Sequence, residues 1–246
     1  MGIGIEIAAK ILCPINESIS NPSIDDVVTS SLLTDLESFW KLEESSGNAI
    51  DELGNANLSE TGSIGTATGK IGNARNLSGS GQYFSTSKAN VSALYGGADF
   101  TIGGWMASDA NATNSLCSVY GASGNRCWLL QHGSNWRLLA SSDGSATVNT
   151  GFVGSSTTAG TFYHWLLEWD ESAEQFEFYV NNSSIATLSV SGGLFDSTHD
   201  FNLGSRENGT DLWDGKLDAV GIWSRILTSD EKSELYNSGD GVEHPF

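Results

Sequence analysis

The chain has 246 residues, 39% hydrophobic and 10% aromatic, with 29 glycines against 3 prolines and a net charge of −19. That length suits one domain with a sizeable core, and no apolar window approaches the roughly 18 residues a membrane span needs. With only 11 Lys and Arg against 30 Asp and Glu, nucleic acid is excluded as a partner, because phosphate binding needs basic clusters.

Residues 1–34 read as a segment distinct from the rest. Ile3, Ile5 and Ile7 alternate like a short strand, and Pro14 and Pro22 interrupt the pattern. The segment is too rich in Ile, Val and Leu for ordinary disorder. It is expected to be an arm that docks on other protein subunits or packs internally. Glu6 and Lys10 interrupt its apolar run and no basic region precedes it, so no signal peptide is recognised.

Residues 35–246 read as one domain. Phe39–Leu42 is a first strand, and a long loop follows to Gly69. Arg75–Leu77 and Gln82–Ser85 read as a hairpin about Gly79-Ser80-Gly81. Phe100–Ala107 alternates as a strand. Ser115–Tyr120, Cys127–Gln131 and Trp136–Ala140 form one meander. Tyr163–Trp169, Gln175–Val180 and Ile185–Val190 form another, turning at Asn181-Asn182, and Phe201–Leu203 adds a strand. Short strands at regular spacing with turn-forming residues between them are the pattern of an all-β sandwich.

The closing stretch is the most specific. Asp214-Gly215 reads as a turn. A strand follows with Leu217, Ala219, Gly221 and Trp223 on one side and Lys216, Asp218, Val220 and Ile222 on the other. Apolar residues on both sides predict a central strand covered on both faces. Thr228 and Glu231 predict a capping box opening a short helix, with Gly239 as its stop. Among Cys13, Cys117 and Cys127, the odd count excludes a fully paired set. Simple pairing about the Gly121–Asn125 turn sets Val119, not Cys117, opposite Cys127, so buried thiols are expected.

Trp213-Asp214-Gly215, Leu217-Asp218-Ala219-Val220, Ile222-Trp223, Arg225-Ile226-Leu227-Thr228, Asp230-Glu231 and Leu235-Tyr236 resemble the closing signature of LamG-like domains in the concanavalin A-like lectin/glucanase superfamily. Phe39–Leu42 with Ser46-Gly47-Asn48 and Asp51 resembles the opening segment. Gly69–Ala74, Phe100–Trp105, Phe162–Trp165 and Phe178–Asn182 resemble the segments between, in family order. The resemblance implies an antiparallel β-sandwich jelly roll with one short C-terminal helix. It says little of function, because this fold hosts binders, enzymes and structural parts.

Three chemistries compete with a plain structural role. Glucanases of the superfamily place carboxylates on alternate positions of one strand. The nearest match, Glu168-Trp169-Asp170-Glu171, lacks the third carboxylate, and Asp170 matches a turn position. The histidines show no metal spacing and no G-x-S-x-G elbow occurs, so the chain is expected not to be an enzyme. The resemblance implies a structural calcium ion at Asp51 and Asp218, helped by Asn48, Asn55 and Glu52. Asp218 lies in an apolar strand and needs a partner, whether calcium, Arg75 or backbone N–H groups. Sugar binding would use aromatic platforms near loops with polar neighbours. The candidates are Trp128, Trp136, Trp213 and Tyr95, with Asn135, Arg137, Arg126 and Asn208. A tryptophan in a sandwich is more often packing, as expected of Trp40, Trp105, Trp165 and Trp223.

These readings favour a non-catalytic structural or recognition protein presented on a larger assembly, such as a phage virion decoration or fibre-associated protein. It would act on a virion or extracellular surface, with capsid or tail subunits and cell-surface glycans as partners. A free carbohydrate-binding lectin is the alternative, and a glucanase-type hydrolase the third reading.

Overall fold

The computed structural model describes residues 30–109, 112–207 and 209–246. Most of the expected arm, Cys13 and Asn208 lie outside the described residues.

Two antiparallel sheets face each other. The eight-stranded sheet runs in the order β13 (Ser183–Ser189), β12 (Gln175–Val180), β11 (Tyr163–Asp170), β6 (Phe100–Ser108), β15 (Asp214–Trp223), β4 (Asn73–Ser78) and β3 (Gly65–Thr68). Beside β15, β4 pairs with its first half and β1 (Leu36–Trp40) with its second. The seven-stranded sheet runs β10 (Val148–Asn149), β9 (Trp136–Ala140), β8 (Arg126–His132), β7 (Asn114–Tyr120), β14 (Phe201–Leu203), β5 (Tyr83–Thr86) and β2 (Ser59–Thr61). Among the described residues the one α-helix, α1, spans Ser229–Tyr236, and no helix there is long and apolar enough to cross a membrane.

The core lies between the sheets. No tryptophan in the chain exposes more than 3% of its surface, and each such ring removes about 150–250 Å² from water. Phe100 and Phe176 meet edge to face at 6.0 Å, and Trp169 lies 4.8 Å from Phe176. Cys117 and Cys127 are free and buried in this core. Burial raises both thiols well above their ordinary range, which leaves them unreactive.

Both meanders form as the alternation predicts. Asn181 and Asn182 hold φ of +48° and +60° in the β12–β13 turn, a conformation that suits a two-residue hairpin and that asparagine tolerates. The hairpin expected at 75–85 does not form: β4 and β5 belong to different sheets. Gly79-Ser80-Gly81 carries the chain from one sheet to the other, and the Ser78 N–H donates to the Gln82 side chain at 2.7 Å across the bend. Glycine-rich turns serve hairpins and inter-sheet arches alike; the choice follows from where Leu77 and Phe84 bury. Three short strands, β2, β3 and β10, were not expected, since their sequences are polar and largely exposed.

β15 corrects two expectations. Asp214 and Gly215 already pair with β4, as strand rather than turn. The strict alternation breaks at a bulge between Asp218 and Gly221, where Ala219 adopts φ +48°. An extra residue flips the side-chain phase. Leu217, Val220 and Ile222 therefore share the inner core, while Ala219 and Trp223 join the outer face.

On that outer face Trp223 packs with Leu32, Leu36, Phe39, Leu166, Leu227 and Leu235. The strand is covered on both sides, as its composition predicts. The capping box is present: the Thr228 hydroxyl accepts from the Glu231 N–H at 3.3 Å, and the Glu231 carboxylate accepts from the Thr228 N–H at 2.8 Å. Arg225 forks onto the same carboxylate at 2.7 and 2.8 Å, which holds Glu231 down to about 2. Arg225 also donates to the carbonyls of Ser31 at 2.9 Å and Thr34 at 3.0 Å. Residues 30–34, assigned above to the arm, thus pack against the domain. The helix stops at Asn237, with φ +44°, two residues before the expected Gly239.

Candidate binding site

The carboxylates singled out in the sequence are occupied by structure. Glu168 accepts from Lys232 at 2.8 Å and from the Leu227 N–H at 3.2 Å, beneath α1. Asp170 accepts from the Ser172 hydroxyl at 2.7 Å and the Ala173 N–H at 2.8 Å, closing the β11–β12 turn.

One oxygen of Asp51 accepts from the N–H groups of Phe39 at 2.8 Å and Leu53 at 3.3 Å; the other accepts from Asn55 at 2.8 Å and Ala56 at 2.9 Å. Four N–H donors saturate the carboxylate. Asp218 Oδ2 accepts from the N–H groups of Lys70 at 2.6 Å and Ile71 at 2.9 Å, while its Oδ1 is buried without a partner. Burial, with the Glu43 charge adding to it, raises this carboxyl to about 7 against the pull of the two N–H groups. Asp51, saturated by backbone N–H groups, has no lone pair left for a calcium ion shared with Asp218. Among the described residues no three His, Cys, Asp or Glu converge to hold a metal. Arg75 is not the partner of Asp218 either. It pairs with Glu60 at 2.5 Å and donates to the carbonyls of Gly47 and Ile64.

The expected platforms are corrected as well. Trp128, Trp136 and Trp213 are buried, and so is Tyr95. The strands form where they were expected, β9 over the same residues and β8 one residue longer at each end, and their inner faces take Trp128 and Trp136 into the core. Trp128 donates to the Leu94 carbonyl at 2.7 Å, Tyr95 to the His199 carbonyl at 2.6 Å, and Trp213 lies 5.9 Å from His132.

Trp136 nonetheless has one edge on a groove of about 250 Å³. The groove lies where the two sheets part, between β9 and the β12–β13 hairpin. Trp136, Tyr163, Val180 and Ile185 make its apolar floor; Ser155, Ser156, Thr157, Asn181 and Ser183 line it with hydroxyls and an amide. Its wall is pinned residue by residue. Trp136 and Val153 exchange backbone hydrogen bonds of 3.1 and 2.8 Å, and the Thr157 N–H donates to the Ser134 carbonyl at 2.9 Å. The Asn135 amide donates to the Gly154 carbonyl at 2.8 Å, so Asn135 positions the wall. Thr157 Oγ1 meets His132 Nε2 at 2.9 Å, and burial lowers that imidazole to about 4, which keeps the contact uncharged at neutral pH. The Thr158 N–H donates to the Tyr163 hydroxyl at 3.0 Å. This wall has no strand or helix pattern to announce it; its signal in the sequence is the Gly- and Ser/Thr-rich run from Thr150 to Thr161.

Arg137 points away from the groove. Its neighbours Trp136 and Leu138 enter the core, so Arg137 stands on the outer face of the seven-stranded sheet. Its guanidinium lies 5.7 Å from the ring centroid of Phe152.

Residues 78–231 match the Laminin_G_3 family, described as the concanavalin A-like lectin/glucanases superfamily, and the chain belongs to it. Its fold is similar to that of the binding domain of Paraclostridial Mosquitocidal Protein 1 (TM-score 0.65, 16% identity), over 83% of this chain and 52% of that one. Domain 4 of AbnA, an extracellular GH43 arabinanase from Geobacillus stearothermophilus in complex with arabinotriose, is similar over 81% of this chain and 97% of its own (TM-score 0.60, 16% identity). The Ruminococcus gnavus IT-sialidase CBM40 bound to alpha2,3 sialyllactose is similar over 64% and 93% (TM-score 0.53, 18% identity). The chain thus spans about half of the mosquitocidal binding domain's length. At these identities the likeness is one of fold. No curated protein sequence matches.

Proposed function

We propose that this superfamily member is a non-catalytic carbohydrate-binding module that takes its ligand in the groove between β9 and the β12–β13 hairpin. The groove carries the reading. An apolar floor of two aromatic and two aliphatic side chains suits the C–H faces of sugar rings, and a rim of hydroxyls and an amide suits their hydroxyl groups. The arabinotriose and sialyllactose bound by two fold neighbours support it by analogy. The engagement of Glu168 by Lys232 and of Asp170 by its own turn supports the non-catalytic part.

A glycan array with the purified chain tests the reading. Ser183 is exposed on the rim, so Ser183→Arg should fill the groove and abolish binding with the fold intact. Selective binding that survives Ser183→Arg would place the ligand elsewhere, and no binding across the array would end the reading.

Presentation on a larger assembly, including a virion, through the N-terminal segment rests on the sequence of residues 1–29. Deletion should stop at residue 29, because Leu32 is buried and its carbonyl accepts from the Trp223 indole at 2.8 Å. If the segment is a docking arm, the shortened chain stays folded and loses assembly in sedimentation; unchanged assembly would refute it.

A further inference from the structure

Cations are scarce in this chain, 11 Lys and Arg against 30 Asp and Glu. Among the described residues every lysine and arginine has a carboxylate within 3.9 Å except Arg126 and Arg137. These two lie on the adjacent strands β8 and β9. Arg126 donates to the Ser145 carbonyl at 2.7 Å and lies over Tyr120 at 5.5 Å. Arg137 makes neither an ion pair nor a hydrogen bond among the described residues, and its contact is the ring of Phe152 at 5.7 Å. Phe152 is 56% exposed, and among the described residues no other aromatic side chain is classed as exposed.

We infer that Arg137 and Phe152 form an acidic-sugar subsite, in which the guanidinium takes the carboxylate of a uronic or sialic acid residue. This rests on the glycan-binding reading and names the class of glycan. Among the described residues eight of the ten lysines and arginines have a carboxylate partner, and Arg137 does not. Left unpaired, a guanidinium presents a planar fork of donors that matches a carboxylate bidentately. The exposed ring beside it offers an apolar face to the same sugar. Register places a buried amide, Gln131, and an exposed one, Asn149, on the same face. Gln131 stands directly opposite Arg137 across β8–β9, and Asn149 opposite Leu139 across β9–β10, with side chains at 131, 137, 139 and 149 on one outer face.

The subsite adjoins the groove through a single segment of chain. Phe152 lies outside with Arg137, Val153 pairs with Trp136, and Gly154 to Thr157 line the groove. Arg126 lies five residues from Gln131 along β8, about 17 Å at strand rise. That is beyond one sugar ring, so Arg137 alone carries the assignment.

The test is a titration of the full chain with sialyllactose against lactose, and with glucuronate-terminated oligosaccharides against glucose-terminated counterparts. The wild type should bind the acidic member of each pair about tenfold tighter or more, the scale of one charge-assisted contact, with the preference weakening as salt rises. Arg137→Gln should erase the preference, Arg137→Lys should keep part of it, and Phe152→Ala should weaken acidic ligands, all with unchanged thermal unfolding. Equal affinity for acidic and neutral partners in the wild type, or a preference that survives Arg137→Gln, overturns the inference. Tighter binding of sulfated lactose than of sialyllactose overturns the carboxylate assignment. The two readings separate cleanly. If Ser183→Arg abolishes all binding while Arg137→Gln leaves the preference, the groove stands and the subsite falls. If Arg137→Gln erases acidic binding while Ser183→Arg changes nothing, the subsite stands and the groove falls.

Discussion

The outer faces of the two sheets use charge in opposite ways. On the eight-stranded sheet, a turn at Ser31–Leu33 and helix α1 lie over Trp223 and Leu166. The cations there are engaged: Arg225 grips Glu231, and Lys232 reaches Glu168 and the Tyr179 hydroxyl at 2.8 and 3.0 Å. On the seven-stranded sheet no helix of the described residues takes that place, and Arg126 and Arg137 have no carboxylate. A covered face needs its charges paired, because a buried ion without a partner is costly. The outer face of the seven-stranded sheet buries only the smaller cluster of Tyr120, Leu129 and Leu139 and leaves Arg137 half-exposed, open to water and hence to a ligand. One face therefore reads as stability and the other as recognition.

The comparison can be broken from the stability side first. Trp223→Ala should cost about 3–5 kcal/mol through the cavity left under α1, read as a lower urea midpoint. Lys232→Met strands Glu168, whose side chain is 4% exposed. About 3 kcal/mol is expected, the low end for a broken buried pair, because burial already raises this carboxyl and a proton can replace the lysine. Glu168→Leu added to Lys232→Met should restore most of it. A loss below about 0.5 kcal/mol for Lys232→Met would show that the pair is solvated and the cap loose.

Smaller effects follow from titration. Asp218 is raised from 3.8 to about 7 in the fold. Between those values the folded chain holds a proton that the unfolded chain has lost, so this group's contribution falls as pH rises from about 4 to about 7 and is level above. His132 and His164, lowered by burial from 6.5 to about 4, act in reverse: their contribution falls as pH drops from 6.5 to 4. Asp218→Asn separates the two. The variant should gain on the wild type across pH 4 to 7, by on the order of 2 kcal/mol at neutrality; a constant difference would mean that Asp218 ionises normally. Smallest is Arg137→Gln, expected to leave stability within about 0.5 kcal/mol while changing ligand preference. A large loss of stability would make Arg137 a structural residue and dissolve the contrast between the faces.

Much of the fold was legible because local patterns and tertiary demands agree. The two meanders need only alternation and turn residues. The capping box needs Thr228 and Glu231 three apart, and both bonds are present. The candidate site was legible only in outline. Trp136, Asn135 and Arg137 were singled out, yet their roles differ from those expected: an edge on the groove, a pin for its wall, and a cation on the opposite face. One-residue steps along β9 decide these roles, and a lone strand does not declare which of its faces meets the core.

Composition, period-two patterning and capping are local properties, and they were enough to read an all-β sandwich with its closing strand and helix from the chain alone. Packing set the rest. It sent β4 and β5 to different sheets, shifted the phase of β15 at Ala219, saturated Asp51 with backbone donors, and set Arg137 beside Phe152 with no carboxylate partner among the described residues. Each depends on which distant groups arrive within a few ångströms, and that is set by packing the whole chain at once.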